Sequence, residues 1–174
     1  MPRIRYSVAM SLDGYIAGPD GEFDWIMSDP ASDFSAQFAQ FDTFLLGRRT
    51  FEITRIPGSP PFPRGSKRFV FSRTLQDEFP GVSVVREASQ TTIAEIRSTA
   101  TRDIWLFGGG GLFRSLLDQG FVDTVEVKVM PVLLGSGRQL LPQPAHRARL
   151  KLTAHHVSPS GIAYLDYNVL PKAA

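Results

Sequence analysis

The sequence predicts an α/β fold of three layers, in which a mostly parallel central sheet with an antiparallel C-terminal edge strand lies between flanking helices. Apolar runs typical of strands alternate with helical patterns as far as residue 120, and only strand patterns follow. The last two strands are separated by Ser158-Pro159-Ser160-Gly161, a hairpin-type turn. Alternating strands and helices favour a parallel sheet, and the hairpin adds the antiparallel edge. The length predicts a single domain over residues 1–174.

The first part of the chain predicts a strand, a long loop and a helix. Residues 4–10 form a compact apolar run, which predicts a strand that leads into the loop. Phenylalanines at positions 34, 38 and 41 recur at helical spacing, and Asp33 stands where an N-cap would begin that helix.

Short elements follow in the middle of the chain. Residues 43–46 predict a buried strand that ends at a glycine, and residues 49–55 predict a short helix. Residues 69–71 and 82–85 predict two further short strands.

The second half begins with a capping-box pattern, Thr92 with Glu95, which predicts a helix to about residue 100. Residues 104–107 form an apolar run typical of a central parallel strand that is covered on both faces. Four glycines follow and lead into a helix predicted over residues 112–119. Alternating apolar and polar residues then predict three strands, over residues 125–129, 150–154 and 163–169.

Composition excludes several classes of protein. Lys and Arg total 19 against 17 Asp and Glu, and the formal charge of +2 is too small for a general nucleic-acid binder, although the pI of about 9.1 allows a local basic site. The chain has no cysteine, which excludes disulfides and thiolate metal sites. No stretch reaches the ~20 apolar residues that span a bilayer, and the apolar N-terminal run is too short for a signal peptide. We therefore expect a cytoplasmic protein without a membrane partner.

The histidines and serines show no pattern of a metal site or a hydrolase. His155 and His156 are adjacent on a predicted strand and point to opposite faces, so they cannot chelate one metal together. His146 lies in a proline-rich segment, and Ser136 has no identifiable base. We predict no metal site.

The strongest functional signal is Gly108-Gly109-Gly110-Gly111, between a predicted buried strand and a helix N-terminus. A helix start exposes unpaired N–H groups, and glycines let a phosphate approach the backbone closely. Neither the Walker pattern nor G-x-G-x-x-G is matched. The structural alternative is a tight turn, but such a turn needs only one or two glycines. The run therefore favours phosphate binding.

A second candidate phosphate site is Gly47-Arg48-Arg49-Thr50, which also follows a strand and opens a helix. Arginine forks match phosphate oxygens, and a threonine hydroxyl can donate to them. Ser72-Arg73, at the end of the next predicted strand, can hold a ribose phosphate. Each segment alone is a solvated turn, whereas two helix starts after neighbouring strands favour a dinucleotide with a diphosphate link.

Five segments resemble, in order, those of the dihydrofolate reductase-like superfamily: SLDGYIAG at 11–18, Asp24-Trp25, LLGRRTF at 45–51, FGGGG at 107–111 and PVLLG at 131–135. The similarity runs from about residue 3 to residue 170. The more similar branch contains the reductase domain of the bifunctional riboflavin-biosynthesis deaminase-reductase and its stand-alone bacterial relatives. Having no cysteine, the chain does not carry the zinc site of the deaminase half.

The resemblance implies a dihydrofolate reductase-like fold, with NADPH as hydride donor to a small heterocyclic substrate. Ala9 and Ile16 would flank the nicotinamide, and the loop from residue 12 to Trp25 would close over it. The adenosine-side phosphates would be held by Gly47, Arg48, Arg49, Thr50, Ser72 and Arg73. The diphosphate would be held by Gly108, Gly109, Gly110, Gly111, Leu112 and Phe113.

On the acceptor side, the candidates for catalytic roles are Asp33, Asp13 and Trp25. Dihydrofolate reductase places an acid on the helix before Gly47, and Asp33 is the nearest acid, with a helix N-cap as the alternative. Asp13 is a candidate proton donor or holds its own turn. Lys128 meets a substrate phosphate or faces solvent.

Three functions stay open, and the first is favoured. It is an NADPH-dependent reductase that transfers hydride to a C=N or C=O group of a pyrimidine- or pterin-like substrate, similar to 5-amino-6-(5-phosphoribosylamino)uracil reductase. The second is dihydrofolate reductase proper, and the third is a non-catalytic dinucleotide-binding protein. The oligomeric state is open, with a homodimer as one alternative.

Overall fold

A computed structural model describes residues 1–30, 32–56, 59, 61–76 and 78–172. The described strands are β1 Ile4–Ser11, β2 Tyr15–Ala17, β3 Phe41–Gly47, β4 Lys67–Phe71, β5 Val82–Val85, β6 Asp103–Gly108, β7 Thr124–Met130, β8 Arg138–Gln139, β9 Leu150–Val157 and β10 Ala163–Val169. The described helices are α1 Phe34–Phe38, α2 Arg48–Ile53, α3 Gln90–Thr99 and α4 Gly110–Asp118. None of these helices is both long and apolar enough to cross a bilayer.

Eight strands form one sheet in the order β5-β4-β3-β6-β1-β7-β10-β9. The first six strands in this order pair in parallel, whereas β10 pairs antiparallel with both β7 and β9. The mostly parallel sheet with an antiparallel C-terminal edge is therefore confirmed. The reversed strand is β10, one place in from the edge strand β9.

The parallel part of the sheet is covered on both faces, which gives the three predicted layers, whereas the edge strand β9 is exposed along its whole length. On one face, α3 and α4 contribute to a cluster of aliphatic and aromatic residues, in which Tyr6 stacks on Phe113 with ring centroids 4.0 Å apart. On the other face, the cluster is mainly aromatic and includes Phe44, Phe51 and Trp105. The Trp105 indole donates to the backbone oxygen of Ser7 at 3.0 Å, which satisfies its buried N–H.

Several element boundaries differ from the sequence-based expectations. The first helix is only five residues long, and Phe41, which we grouped with it, begins β3. The N-cap of α3 is Ser89, whose hydroxyl accepts from the Thr92 amide, so the capping-box assignment to Thr92 was wrong. In the first case a residue at helical spacing belongs to the next strand, and in the second the helix begins three residues before the capping-box pattern.

A second, two-stranded sheet joins β2 to β8 and has no strong sequence signal. These strands are only three and two residues long, too short to show a periodicity. The pairing fastens the loop after β1 to the segment after β7.

Candidate active site

The glycine run forms the turn between β6 and α4. Gly108 ends β6 with φ +148°, Gly109 is the N-cap, and α4 begins at Gly110. A Cβ on Gly110 would lie 2.6 Å from the backbone oxygen of Gln139, so packing requires this glycine. A Cβ on Gly109 would meet Thr50 Oγ1 at 3.4 Å, which leaves room in front of the helix. The first-turn amides of α4, which have no partner within the helix, border this space.

The start of α2 lies beside the start of α4, because β3 and β6 are neighbours in the sheet. Leu46 is in register with Gly108, and a Cβ on Gly47 would lie 3.6 Å from the Gly108 oxygen. Neither N-cap glycine supplies a side-chain hydrogen bond to its helix. Two sets of first-turn N–H groups are thus brought together at the carboxyl end of the sheet, where ligands of parallel α/β sheets bind.

Arg48 and Arg49, at the start of α2, differ in how they are held. Arg48 donates to Glu52 Oε1 at 2.8 Å and to Thr74 Oγ1 at 2.7 Å. Arg49 is exposed at the same helix start. Arg48 therefore joins α2 to the turn after β4, while the Arg49 side chain is exposed to solvent.

The turn after β4 holds Ser72 and Arg73. Ser72 Oγ accepts from the Leu75 amide at 3.0 Å, so this hydroxyl shapes the turn. Arg73 is exposed beside it. Arg86, which sequence reasoning missed, donates to the Ser72 backbone oxygen at 3.0 Å. Its signal was its place directly after the predicted strand 82–85, at the same end of the sheet as Arg73.

Asp13 joins two loops. Its carboxylate accepts from Ser11 Oγ at 2.6 Å, from the Leu134 amide at 3.1 Å and from the Gly135 amide at 2.7 Å. The Ser11 hydroxyl, and then the two amides, lower the pKa of Asp13 below its ordinary value. These contacts favour the structural alternative for Asp13.

Trp25 lies in the loop that follows β2 and is half-buried. Its indole donates to the Glu22 backbone oxygen at 3.3 Å. The same loop exposes three large apolar side chains, Phe23, Ile26 and Met27. Ala9 and Ile16, implied to flank the nicotinamide, lie at the end of β1 and in β2, at the base of this loop.

A polar cavity of about 270 Å³ lies between α1 and the strands β1, β7 and β10. Its charged and polar lining includes Arg5, Ser7, Gln37, Glu126, Lys128 and Asp166. We call it the α1 cavity. It lies on the sheet face that carries α1, and one of its strands, β1, is the neighbour of β6, which carries the glycine run.

Asp33 borders the α1 cavity, but its carboxylate is hydrogen-bonded to the first turn of α1. Its carboxylate accepts from the Ala36 amide at 2.9 Å as the N-cap of α1, and the residue is exposed. This geometry shows the N-cap that was the alternative reading of Asp33. A ligand role for Asp33 stays a prediction.

Lys128 is half-buried in the α1 cavity rather than facing solvent. Its Nζ donates to Gln37 Oε1 at 2.9 Å, and Gln37 Nε2 donates to Ser7 Oγ at 2.9 Å. The ammonium also lies 5.2 Å from the centroid of Phe34 and 5.6 Å from that of Tyr164. Burial lowers the pKa of Lys128, although nearby carboxylates oppose the shift.

The acids of the α1 cavity have different surroundings. Glu126 is held by Arg5 through two hydrogen bonds of 2.6 and 2.9 Å. Burial, and then the charge of Glu126, raise the pKa of Asp166. Tyr164 donates to Asp29 Oδ2 at 2.5 Å. Sequence reasoning missed this set, because its members come from strands and a helix far apart in the chain.

A larger groove of about 720 Å³ lies at the other end of the sheet. It is bordered by Asp118, Asp123, His146 and Arg149, and by none of the residues proposed to bind a cofactor. Size therefore does not identify the active site here. Within the described residues, no cluster of three His, Asp or Glu side chains could hold a metal ion.

The model of the RibD C-terminal domain family matches residues 2–164. The chain belongs to this family. The uncharacterised protein YyaP of Bacillus subtilis is 30% identical over 178 residues, which cover 95% of this chain and 94% of YyaP. The riboflavin biosynthesis protein RibD of Corynebacterium ammoniagenes is 27% identical over 158 residues, which cover 82% of this chain and 47% of RibD. The chain thus matches about half of that RibD.

Solved structures show the same fold as this RibD C-terminal domain. A structure from Shewanella sp. PV-4 has a TM-score of 0.83 and 22% identity, and covers 97% of this chain and 99% of its own. The Thermotoga maritima diaminohydroxyphosphoribosylaminopyrimidine deaminase/5-amino-6-(5-phosphoribosylamino)uracil reductase has a TM-score of 0.69 and 17% identity, covering 97% and 57%. Dihydrofolate reductase from Enterococcus faecalis, complexed with NADP(H), has a TM-score of 0.69 and 18% identity, covering 96% of both chains. The fold is therefore dihydrofolate reductase-like.

Proposed function

We propose that this protein is an NADPH-dependent reductase that transfers hydride to a C=N or C=O group of a pyrimidine-like substrate or of its ribosyl Schiff base. The observation that carries the proposal is the arrangement around β1. Two helix starts and a group of arginines lie on one side of this strand, and the polar α1 cavity opens on its other side. The RibD relatives and the T. maritima uracil reductase support the choice of reaction.

The residues at the glycine run fit a dinucleotide. The first-turn amides of α4 suit a diphosphate, and the lack of a side chain at the N-cap Gly109 lets it approach them. Arg49 and Arg73 are exposed cations near the ends of β3 and β4, where they suit the 2′-phosphate that distinguishes NADPH from NADH. The E. faecalis neighbour, which has the same fold, is complexed with NADP(H).

When bound, NADPH supplies the hydride. The chain itself binds and orients the two reactants and excludes water, which is where most of the acceleration of such a reaction arises. Hydride addition to the carbon of the C=N or C=O group must be matched by a proton on the nitrogen or oxygen of that group. Asp166, which lines the α1 cavity as the cross-strand partner of Glu126, is the carboxyl that we propose for this proton.

The cavity favours a pyrimidine over dihydrofolate as the acceptor. Dihydrofolate reductase uses an acid to bind the amidine-like edge of the pterin, whereas Asp33 here is exposed and caps α1. The pterin-type function therefore has less support than the pyrimidine-type function.

Two measurements test the proposed function. Calorimetry should show NADPH binding, and the loss of reduced-nicotinamide absorbance should show turnover with 5-amino-6-(5-phosphoribosylamino)uracil or its dephosphorylated form. Dihydrofolate should be reduced slowly or not at all. Rapid dihydrofolate reduction would establish the second function instead. Tight NADPH binding with no oxidation by any heterocycle of a panel would establish a non-catalytic dinucleotide-binding protein.

A further inference from the structure

Lys128 presents hydrogen-bond donors to the inside of the α1 cavity. An ammonium has three N–H donors and no acceptor, and Gln37 Oε1 accepts one of them. The aromatic faces of Phe34 and Tyr164 flank the same group. A half-buried donor is best satisfied by an acceptor atom, so a ligand in this cavity should place an oxygen or a similar acceptor beside Lys128 Nζ.

The register of the sheet puts Lys128 at the level of the reacting groups. Lys128 is the β7 partner of Ala9, which we place beside the nicotinamide. Glu126 and Asp166, which are partners of each other, lie one step deeper on the same face. Asp13 and Asp33, the acids predicted from the sequence, are instead held by a loop and by a helix start.

The charges around the α1 cavity distinguish a carbonyl oxygen from a phosphate. Arg5 is already paired with Glu126, and Lys128 is attracted by Asp29 and Glu126. Asp166 lies in the same cavity and is repelled by Glu126, which contributes to its raised pKa. A phosphate would add roughly two negative charges to this group of carboxylates. A carbonyl oxygen accepts a hydrogen bond without adding charge.

We propose that the Lys128 ammonium donates a hydrogen bond to a carbonyl oxygen of the acceptor ring and so selects uncharged pyrimidinedione-type rings. This proposal rests on the proposed function, because it takes the α1 cavity as the acceptor side. Gln37 and Ser7 hold the lysine over the sheet, and the ring carbonyl fixes the acceptor relative to Ala9. Lys128 acts as a specificity-determining residue.

The test is a comparison of ring analogues in two proteins. Binding of 5,6-diaminouracil is measured by calorimetry with and without saturating NADP⁺, for the wild-type protein and Lys128→Met. Since a hydrogen bond to a charged group contributes about 1.5–3 kcal/mol, the variant should bind the ring at least about tenfold more weakly. Its NADP⁺ affinity and thermal midpoint should stay near those of the wild type. Lys151→Met, an exposed lysine on β9, is the matched control and should change neither affinity.

The 2-thio and 4-thio analogues separate a direct contact from a structural effect. A thiocarbonyl is a weak hydrogen-bond acceptor. The analogue with sulfur at the position that Lys128 contacts should therefore bind the wild type and Lys128→Met with equal affinity. The other analogue should still bind the wild type more tightly than the variant. Equal weakening of the parent ring and both analogues in the variant would overturn the proposal. Unchanged binding of 5,6-diaminouracil by the variant would also overturn it.

Three further outcomes distinguish this proposal from a phosphate-binding lysine and from the proposed function itself. Inorganic phosphate that competes with the ring in the wild type, but not in Lys128→Met, would show that the lysine binds phosphate and would overturn the carbonyl assignment. Absence of ring binding to the wild type would overturn the proposal even if NADPH binds normally. Absence of NADPH binding would overturn the proposed function, whereas the titrations without cofactor would still test Lys128.

Discussion

The two halves of the candidate site are built from different parts of the protein. The proposed cofactor side consists of backbone N–H groups at the starts of α2 and α4, with exposed arginines around them. The α1 cavity uses side chains that bond to one another, such as Lys128 with Gln37 and Glu126 with Arg5. Backbone groups recognise what all dinucleotides share, whereas interlocked side chains distinguish one ring from another. Binding of cofactor and choice of acceptor should therefore respond to different substitutions.

The largest effect is expected at the backbone of the cofactor side. Gly109→Val should weaken NADPH binding by at least about a hundredfold, because the valine methyl groups would fill the space in front of α4 and keep the diphosphate from its amides. Gly109 has φ −99° and ψ −175°, which valine adopts readily, so the fold should persist.

Calorimetry with NADPH and a thermal melt measure these two effects. Ser83→Val, at an exposed position of β5, is the control and should bind NADPH normally. Normal NADPH binding by Gly109→Val would mean that the glycine run is only a turn.

A smaller effect is expected from the arginines. The wild type should bind NADPH at least about tenfold more tightly than NADH, since charge-assisted hydrogen bonds contribute about 1.5–3 kcal/mol each. Arg73→Met should reduce this preference, and the reduction should be greatest at low salt because Arg73 is exposed.

Titrations with both cofactors measure the ratio of the two affinities. Arg147→Met, in the groove at the other end of the sheet, should leave the ratio unchanged. Equal affinities of the wild type for NADPH and NADH would remove the role assigned to the arginine group.

Asp33→Asn tests the boundary between the two halves. Asparagine also caps helices, so stability and NADPH affinity should change little. Turnover of a pyrimidine acceptor should stay within about twofold, because the cap contact with Ala36 does not involve the ring. Steady-state kinetics with the pyrimidine and with dihydrofolate show whether Asp33 acts only as the helix cap or also binds the substrate. Fast dihydrofolate reduction by the wild type that is lost in Asp33→Asn would make Asp33 a pterin ligand.

The smallest effect is expected at acidic pH, in the two loops that Asp13 joins. The pKa of Asp13 is lowered in the folded protein, so its contribution to stability is present above the ordinary pKa of 3.8 and is lost as the pH falls through the lower, folded value. Amide hydrogen exchange at Leu134 and Gly135 should therefore be slow at neutral pH and become less protected in this acidic range. Asp13→Ala should lose the protection at neutral pH as well. Protection that persists in Asp13→Ala would show that β2 and β8 alone hold the loops.

The sequence predicted the order of the strands in the chain and most helices, because burial on both faces leaves long apolar runs such as residues 104–107. It also pointed to the glycine run and the adjacent arginines, since these are contiguous segments with a direct physical meaning. The α1 cavity left no such segment. Asp166 and Lys128 lie on one face only because β10 pairs with β7 in a particular register, which no local pattern specifies.

The short pairing of β2 with β8 has a mechanical consequence. Together with the Asp13 contacts, it joins the loop after β1 to the segment after β7, so an outward movement of either one alone would break these hydrogen bonds. Opening of the proposed nicotinamide end would then move the two segments as one unit rather than as two independent loops. The hinges of this unit would be the ends of β1 and β7, the strands that carry Ala9 and Lys128. A ligand that passes between these two segments would in that case need both of them to move together.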